Sequence, residues 1–439
     1  MLERLFKLKD HGTALRTEVV AGITTFLTMA YIVLVNPTIL ADAGMPAAGA
    51  AAATCLAAAF GSIMMGLFAN YPIALAPGMG LNAYFTYTVV QGMGLPWQTA
   101  LGCVFLSGVA FLILTVSGVR KLIVGAIPPS LYAAIAAGIG LFIAFIGLKS
   151  VGVIVAHPAT TVTLGSLSSP AALLTLFGLA LTGVLLAWRV RAAMLIGILT
   201  TTALAWAIGA VAWTPGDYSL EALTATAFRL DVPAALGIGG KGLTLALIEI
   251  IVVFLFVDLF DNVGTLVAVT KRAGLVQPDG SIPRLNRILL TDSAATIVGS
   301  MAGTTTTVSY IESAAGVAAG GRTGLTAVVV GLLFLVALVF APFASAIPAA
   351  ATAPALILVG ALMMAPLADN DWTDPLVAIP GFLTLIAIPL TFSIANGLAF
   401  GIIACAVLKL GRGQATAADW PLLGLAALFI ARFIWLSAG

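Results

Sequence analysis

From Leu243 to Val269 the chain runs through apolar residues for long enough to cross a bilayer as one helix. Near the middle of that run stand Asp258, Asp261 and Asn262. A carboxylate is costly in hydrocarbon, so intramembrane acids face a bundle interior or a wet cavity and mark solute or proton paths. The 3.6-residue helical period puts these three side chains on neighbouring faces, where they can line one shared space. A satisfied contact between helices is the blander alternative. The stretch holds no basic residue to satisfy them, which argues against it.

The same apolar pattern recurs along the whole chain. Of 439 residues, 61% are hydrophobic and 8% charged, against roughly 25% charged in soluble domains, so the class is an all-α polytopic membrane protein. Fourteen spans can be laid out, at roughly 17–40, 47–69, 73–91, 97–118, 121–148, 170–188 and 192–213, then 243–270, 286–302, 305–320, 323–342, 348–368, 375–392 and 395–410. A polar linker, Thr214–Gly240, separates the two sets, and a last apolar segment, Trp420–Leu436, carries Arg432 and reads as an interfacial helix. Cys55, Cys103 and Cys405 stand singly within apolar spans, with no metal-ligand spacing and no disulfide framework. Basic residues are spread among short loops, which excludes a nucleic-acid surface. Lys7, Lys9 and Arg16 precede the first span without a small-residue cleavage site, so they read as a cytoplasmic lead.

Charge fixes the orientation. With the N-terminus inside, cytoplasmic loops receive Arg120/Lys121, Arg189/Arg191, Lys271/Arg272/Arg284/Arg287, Arg322 and Lys409/Arg412, and outer loops only Lys149, Arg229 and Lys241. That is the positive-inside asymmetry, and it puts both termini in the cytoplasm of a cell in whose inner or plasma membrane the chain sits. The two sets of seven spans then run in opposite directions. Short echoes support an inverted repeat: Ile127-Pro128 precedes Gly140 as Ile347-Pro348 precedes Gly360, Ile196-Gly197-Ile198 matches Phe400-Gly401-Ile402, and Gly61-Ser62 matches Gly299-Ser300. In secondary transporters built this way the solute site lies at the repeat interface near the midplane, formed by interrupted helices.

Spans three and ten carry the interruptions. Pro72, Pro77, Gly78 and Gly80 cannot sit cheaply in a helix interior, so Pro72–Ala76 is expected to be extended and a short helix to start near Met79. The run Thr304–Ser309 favours extended chain, and Glu312-Ser313 opens a helix of small residues. The two extended pieces should pair as short antiparallel strands, because backbone at that depth must be satisfied by protein. Glu312 then stands at a junction, either lining the site or capping its own helix. Asn82 is a candidate for the site or for interhelical glue. Asp292, near the cytoplasmic end of its span, reads as a wet or interface group, and Glu249 as structural. Tyr84, Phe85, Phe256 and Phe260 could stack on a planar ring or simply form core.

At these residues the chain resembles a known family, the AzgA-like purine permeases, relatives of the nucleobase–ascorbate transporters. The matching stretches are Thr17–Tyr31, Ala76–Phe85, Asp258–Thr265 and Gly303–Gly316. The resemblance implies a core of spans 1–4 and 8–11 (1–120 and 241–342) and a gate of spans 5–7 and 12–14 (121–213 and 343–410), with 214–240 as the outer linker and 411–439 as the C-terminal segment. It implies that Asp258 and Glu312 hydrogen-bond the base, that Asn82 holds the base or the site, and that Ile311 and Ser313 offer backbone groups. Asp261 would couple a proton, sharing that task with Asp258 and Glu312, because His11 and His157 lie outside the cavity. No cofactor is implied besides the coupling proton; the partners are a purine nucleobase, membrane lipid and a second copy of the chain. Rival readings are an anion carrier of the same fold and an intramembrane aspartyl protease. The protease reading suffers because such aspartates must face each other from separate helices to share a proton.

Overall fold

The computed structural model describes residues 2–118, 127–212, 214, 216–238, 244–277, 282–416 and 419–438. Arg120, Lys121 and Lys241, used above for orientation, lie outside them. Among the described residues nine helices are long and apolar enough to cross a membrane. Ala193–Ala207 and Pro375–Thr391 are shorter apolar helices, and Leu285–Ala302 carries buried polar side chains along 18 residues. With the two broken segments these occupy the fourteen expected places in order.

Among the described residues the chain forms four short strands: β1 (Leu75–Pro77), β2 (Ile154–His157), β3 (Thr161–Leu164) and β4 (Thr307–Ser309). β1 and β4 pair antiparallel with Leu75 opposite Ser309, Ala76 opposite Val308 and Pro77 opposite Thr307, all buried. Each strand leads into a short helix, Met79–Ala83 after β1 and Ser313–Ala318 after β4. The first continues as a π-helical stretch, Tyr84–Gly92. β2 and β3 form an exposed hairpin in the loop between spans five and six, which the sequence reading left as loop.

Span one also differs from expectation. It is two helices, Leu15–Met29 and Ile32–Ala41, joined by a tightened turn in which Val33 N donates to Ala30 O at 3.2 Å and Leu34 N to Tyr31 O at 3.0 Å. Near its N-terminal end Glu18, fully buried, accepts from Arg322 N (2.9 Å), Thr323 N (3.3 Å) and Thr326 Oγ1 (2.6 Å). A carboxylate thereby satisfies the orphan donors where helix Gly324–Ala337 begins.

The sequence echoes mark places where backbones meet. A Cβ on Gly61 would lie 3.0 Å from Leu75 Cβ and 3.1 Å from Ala295 Cβ, and one on Gly299 would lie 2.7 Å from Thr307 Oγ1 and 3.4 Å from Ala57 Cβ. Each glycine thus lets its helix approach the strand of its own repeat and the matching helix of the other. Gly140 and Gly360 face each other, each leaving no room for a Cβ against the other's carbonyl. Gly197 packs on the Thr182 hydroxyl and Gly401 on the Thr384 hydroxyl, the same contact in each half. Close approach through small residues is how membrane helices gain packing without a hydrophobic drive between them.

By contact the chain forms two compact units, Met1–Leu112 with Ile146–Leu358, and Ile113–Phe145 with Val359–Gly439. The first holds both strand pairs and spans eight to eleven. The second holds the Gly140–Gly360 contact and the last helices. There the C-terminal helix Trp420–Ala438 runs antiparallel to Ile394–Gly411, tied at one end by the Lys409–Asp419 ion pair (2.7 Å) and at the other by Arg432 Nη1 to Asn396 Oδ1 (3.1 Å). From Asp419 to Arg432 the helix follows that span for about 20 Å at 1.5 Å per residue.

Candidate functional site

The site is built on the β1–β4 pair. A two-stranded ladder leaves its outer edges unpaired, and buried backbone groups must find partners. Hydroxyls from the neighbouring helices supply them. Ser62 Oγ accepts from Leu75 N (2.9 Å) and donates to Leu75 O (3.2 Å); Thr296 Oγ1 accepts from Thr307 N (3.3 Å) and donates to Thr307 O (3.2 Å). The first residue of each strand is clamped the same way in both repeats. Beyond the ladder, Gly78 N donates to Thr306 O and Tyr310 N to Ala74 O, both at 2.9 Å. Gly303, at φ +98° with Thr226 packed on its α-carbon, turns the end of span nine into the extended segment, a geometry that favours glycine.

Side chains then stitch the two interrupted segments together. Tyr310 O–H donates to Pro77 O at 2.5 Å, Ala74 N donates to Ser313 Oγ at 3.0 Å, and Thr305 Oγ1 donates to Asn82 Oδ1. Asn82 is fully buried, so it joins span three to span ten whatever else it does. Among the described residues its amide nitrogen has no hydrogen-bond partner. Behind it Asn36 Nδ2 donates to Thr54 Oγ1 (2.8 Å) and Thr304 Oγ1 (3.0 Å), extending the polar network to spans one and two.

Glu312 is the residue before helix Ser313–Ala318 and makes no side-chain cap on it. Its Oε1 instead accepts from the Tyr31 hydroxyl of span one at 2.7 Å. From span eight Asp261 faces Glu312 closely enough for their charges to interact, and both side chains are partly exposed. Asp258, one turn earlier in helix Leu245–Arg272, is 2% exposed. Ile311 is exposed and Ser313 buried, with the Ser313 hydroxyl committed to accepting from Ala74 N, just before β1. Asp261 of span eight and Glu312 after β4 are thus close enough to interact, with Asp258 one turn from Asp261 on the same helix.

Two tyrosines of the site were not singled out from the sequence. Tyr31 and Tyr310 carry two of the locking hydrogen bonds, and only their place in the motif stretches signalled them. Asp292, expected to be a wet or interface group, is fully buried between spans eight and nine and accepts from Asn262 Nδ2. The aromatics follow the core alternative of the sequence reading: Tyr84 packs edge-on to Phe254 (centroids 5.1 Å apart), Phe256 lies 5.8 Å from Phe260, and Phe85 is fully buried. Asp258 and Asp261 share one helix, which denies them the facing geometry of a protease dyad.

Comparison with known proteins sets this site in a family. The family model described as Permease family matches residues 16–404. An adenine permease of Escherichia coli is 46% identical over 438 residues, covering 100% of this chain and 97% of that protein. A guanine/hypoxanthine permease of Bacillus subtilis is 44% identical over 447 residues, covering 99% of this chain and 100% of that protein. Among solved structures, the transmembrane domain of a cyanobacterium bicarbonate transporter superposes with TM-score 0.64 at 15% identity, covering 89% of this chain and 97% of that one. A murine anion transporter, member A9 of solute carrier family 26, gives TM-score 0.64 at 11% identity, covering 91% and 69%. At such identities the solved structures speak for the fold alone, which is the seven-plus-seven arrangement expected from the sequence. The match across nearly the whole chain, on a fold of paired interrupted spans, makes this protein a member of the Permease family, a multi-pass membrane transporter rather than an enzyme.

Proposed function

We propose that the chain imports purine nucleobases by proton symport. The observation that carries this reading is the Glu312 carboxylate, delivered by the β1–β4 junction opposite Asp261 in a partly exposed position. A purine presents ring N–H and exocyclic N–H donors, and carboxylates at a membrane midplane are strong acceptors for both. In this reading Asp258 and Glu312 accept from the base, the Asn82 amide donates to it or holds span three in place, and backbone groups of Ile311 and Ser313 complete the contacts. The relatives named as adenine and guanine/hypoxanthine permeases support purines over other solutes.

The proton follows from electrostatics. Two carboxylates facing one another in a low-dielectric site disfavour double ionisation, so they titrate as a set. One bound proton relieves the repulsion, the neutral base docks, and the doubly loaded site crosses. Spans 1–4 with 8–11 would move as the core past a gate of spans 5–7 with 12–14, as an elevator. The excess of Lys and Arg in one set of loops supports a cytoplasmic N-terminus. A homodimer is part of the same reading. The anion-carrier alternative is disfavoured, because acids converging on the site repel an anion.

An imposed pH gradient across proteoliposomes tests the coupling. Inward proton flow should drive base accumulation, and uptake indifferent to the gradient would contradict symport. Asp261→Asn removes one of the facing charges. Its uptake is expected to lose most of its dependence on pH between about 5 and 8, with base affinity changed less than about threefold. Wild-type pH dependence in that variant would take Asp261 out of the coupling set.

A further inference from the structure

The break in span one stands where the chain has neither proline nor glycine: Met29 ends one helix and Ile32 begins the next. Tyr31, at the break, is 1% exposed, and its hydroxyl reaches Glu312 Oε1 at 2.7 Å across 281 residues of sequence. The same two elements dock again one helical turn further on. A Cβ on Gly316 would lie 2.7 Å from Ala21 O and would overlap the Thr25 hydroxyl, so the short helix after Glu312 lies directly on span one. Span one thus fixes both the helix that follows Glu312 and the carboxylate itself.

Among the described residues, few other charged and titratable groups stand around Glu312. Asp261 approaches from span eight, with Asp258 one turn away on the same helix. Tyr310, on Glu312's own segment, is committed to Pro77 O. At the far end of the contact Glu18 and Arg322 are occupied, Glu18 by Arg322 N and Arg322 Nη1 by Val317 O and Gly321 O. Tyr31 is therefore the group from span one that acts on this carboxylate.

We propose that Tyr31 is a positioning residue of the transport site: it holds Glu312 with Oε1 turned to span one and Oε2 left for a base N–H, and so sets the pH at which the site binds its proton. The proposal rests on the reading of Glu312 as a base-binding and proton-binding group. A phenol donating to a carboxylate favours the ionised form, opposing the repulsion from Asp261. Without that donor the carboxyl keeps its proton to higher pH. A rotating carboxylate also presents the base with two equivalent oxygens in several orientations, and pre-organisation is lost.

The test measures purine uptake against pH in proteoliposomes for the wild type, Tyr31→Phe and Glu312→Gln, with a thermal unfolding midpoint for each. Tyr31→Phe is expected to move the pH midpoint of uptake upward by about one unit and to raise KM about tenfold, at unchanged unfolding temperature, while Glu312→Gln is inactive. Tyr31→Gln, which restores a donor, should bring the midpoint back toward wild type. If Tyr31→Phe keeps the wild-type midpoint and KM while Glu312→Gln is inactive, the proposal fails and the site reading stands. If Glu312→Gln transports normally, the site reading fails and takes the proposal with it. Should the Phe variant not fold, 3-fluorotyrosine placed at Tyr31 supplies a stronger donor of the same shape and should lower the midpoint; a midpoint that stays put overturns the proposal equally.

Discussion

Glu312→Gln is expected to lower purine uptake by about 100-fold or more while the protein still reaches the membrane in normal amount. The amide keeps the size of the side chain and one acceptor oxygen, so the Tyr31 hydroxyl retains a partner and the short helix Ser313–Ala318 keeps its seat. What changes is the group turned to the solute. An amide N–H now opposes the base N–H that the carboxylate accepted, leaving donors facing donors. A hydrogen bond to a charged group contributes about 1.5–3 kcal/mol, and an unsatisfied donor adds a desolvation cost of similar size. Uptake assays on a tagged variant, normalised to membrane content, check this. Wild-type transport would remove Glu312 from the site.

Asp258→Asn is expected to abolish uptake to a similar extent, and also to abolish the thermal stabilisation that a bound base gives the detergent-solubilised protein. Asp258 is 2% exposed near the centre of a 28-residue helix, where hydrocarbon or protein must surround it. An acid is costly there unless it is used. A ligand at 100 times its Kd stabilises by about 2.7 kcal/mol, enough to read as a shift of several degrees when binding is intact. Loss of transport with the ligand-induced shift retained would move Asp258 from base binding to proton coupling. Loss of neither would make it a structural acid.

The broken spans were legible because their local chemistry leaves few choices. Pro72 and Pro77 deny helix to one segment and the Thr304–Thr307 run disfavours it in the other, so two extended pieces at membrane depth had to find each other. Their register was not legible. It depends on Ser62 and Thr296, which clamp the first residue of each strand from neighbouring helices. The sequence echo paired Ser62 with Ser300, whereas the hydroxyl that performs the matching task is that of Thr296, one turn earlier. Glycine echoes pointed to real contacts, but the partner of each glycine emerged only from tertiary packing.

The carboxylates were found by their cost in hydrocarbon, which sequence alone reveals. Their company was harder to read. Tyr31 meets Glu312 from 281 residues away, at a helix break that no proline or glycine announces. Asp292 reads from the sequence as a wet or interface group, and its partner, Asn262 of span eight, comes only from the packing. Both gaps have one cause: periodicity places a side chain on a face of its own helix, and only the fold decides what lies opposite.

The central claim, that this site carries a purine base, is tested most directly by uptake of radiolabelled hypoxanthine into cells lacking their own purine carriers. Adenine, guanine, xanthine and uracil serve as competitors. The account predicts saturable uptake that adenine or guanine suppresses and uracil leaves largely intact. No uptake of hypoxanthine, adenine or guanine by protein present in the membrane would contradict it and would return the anion-carrier reading to the front.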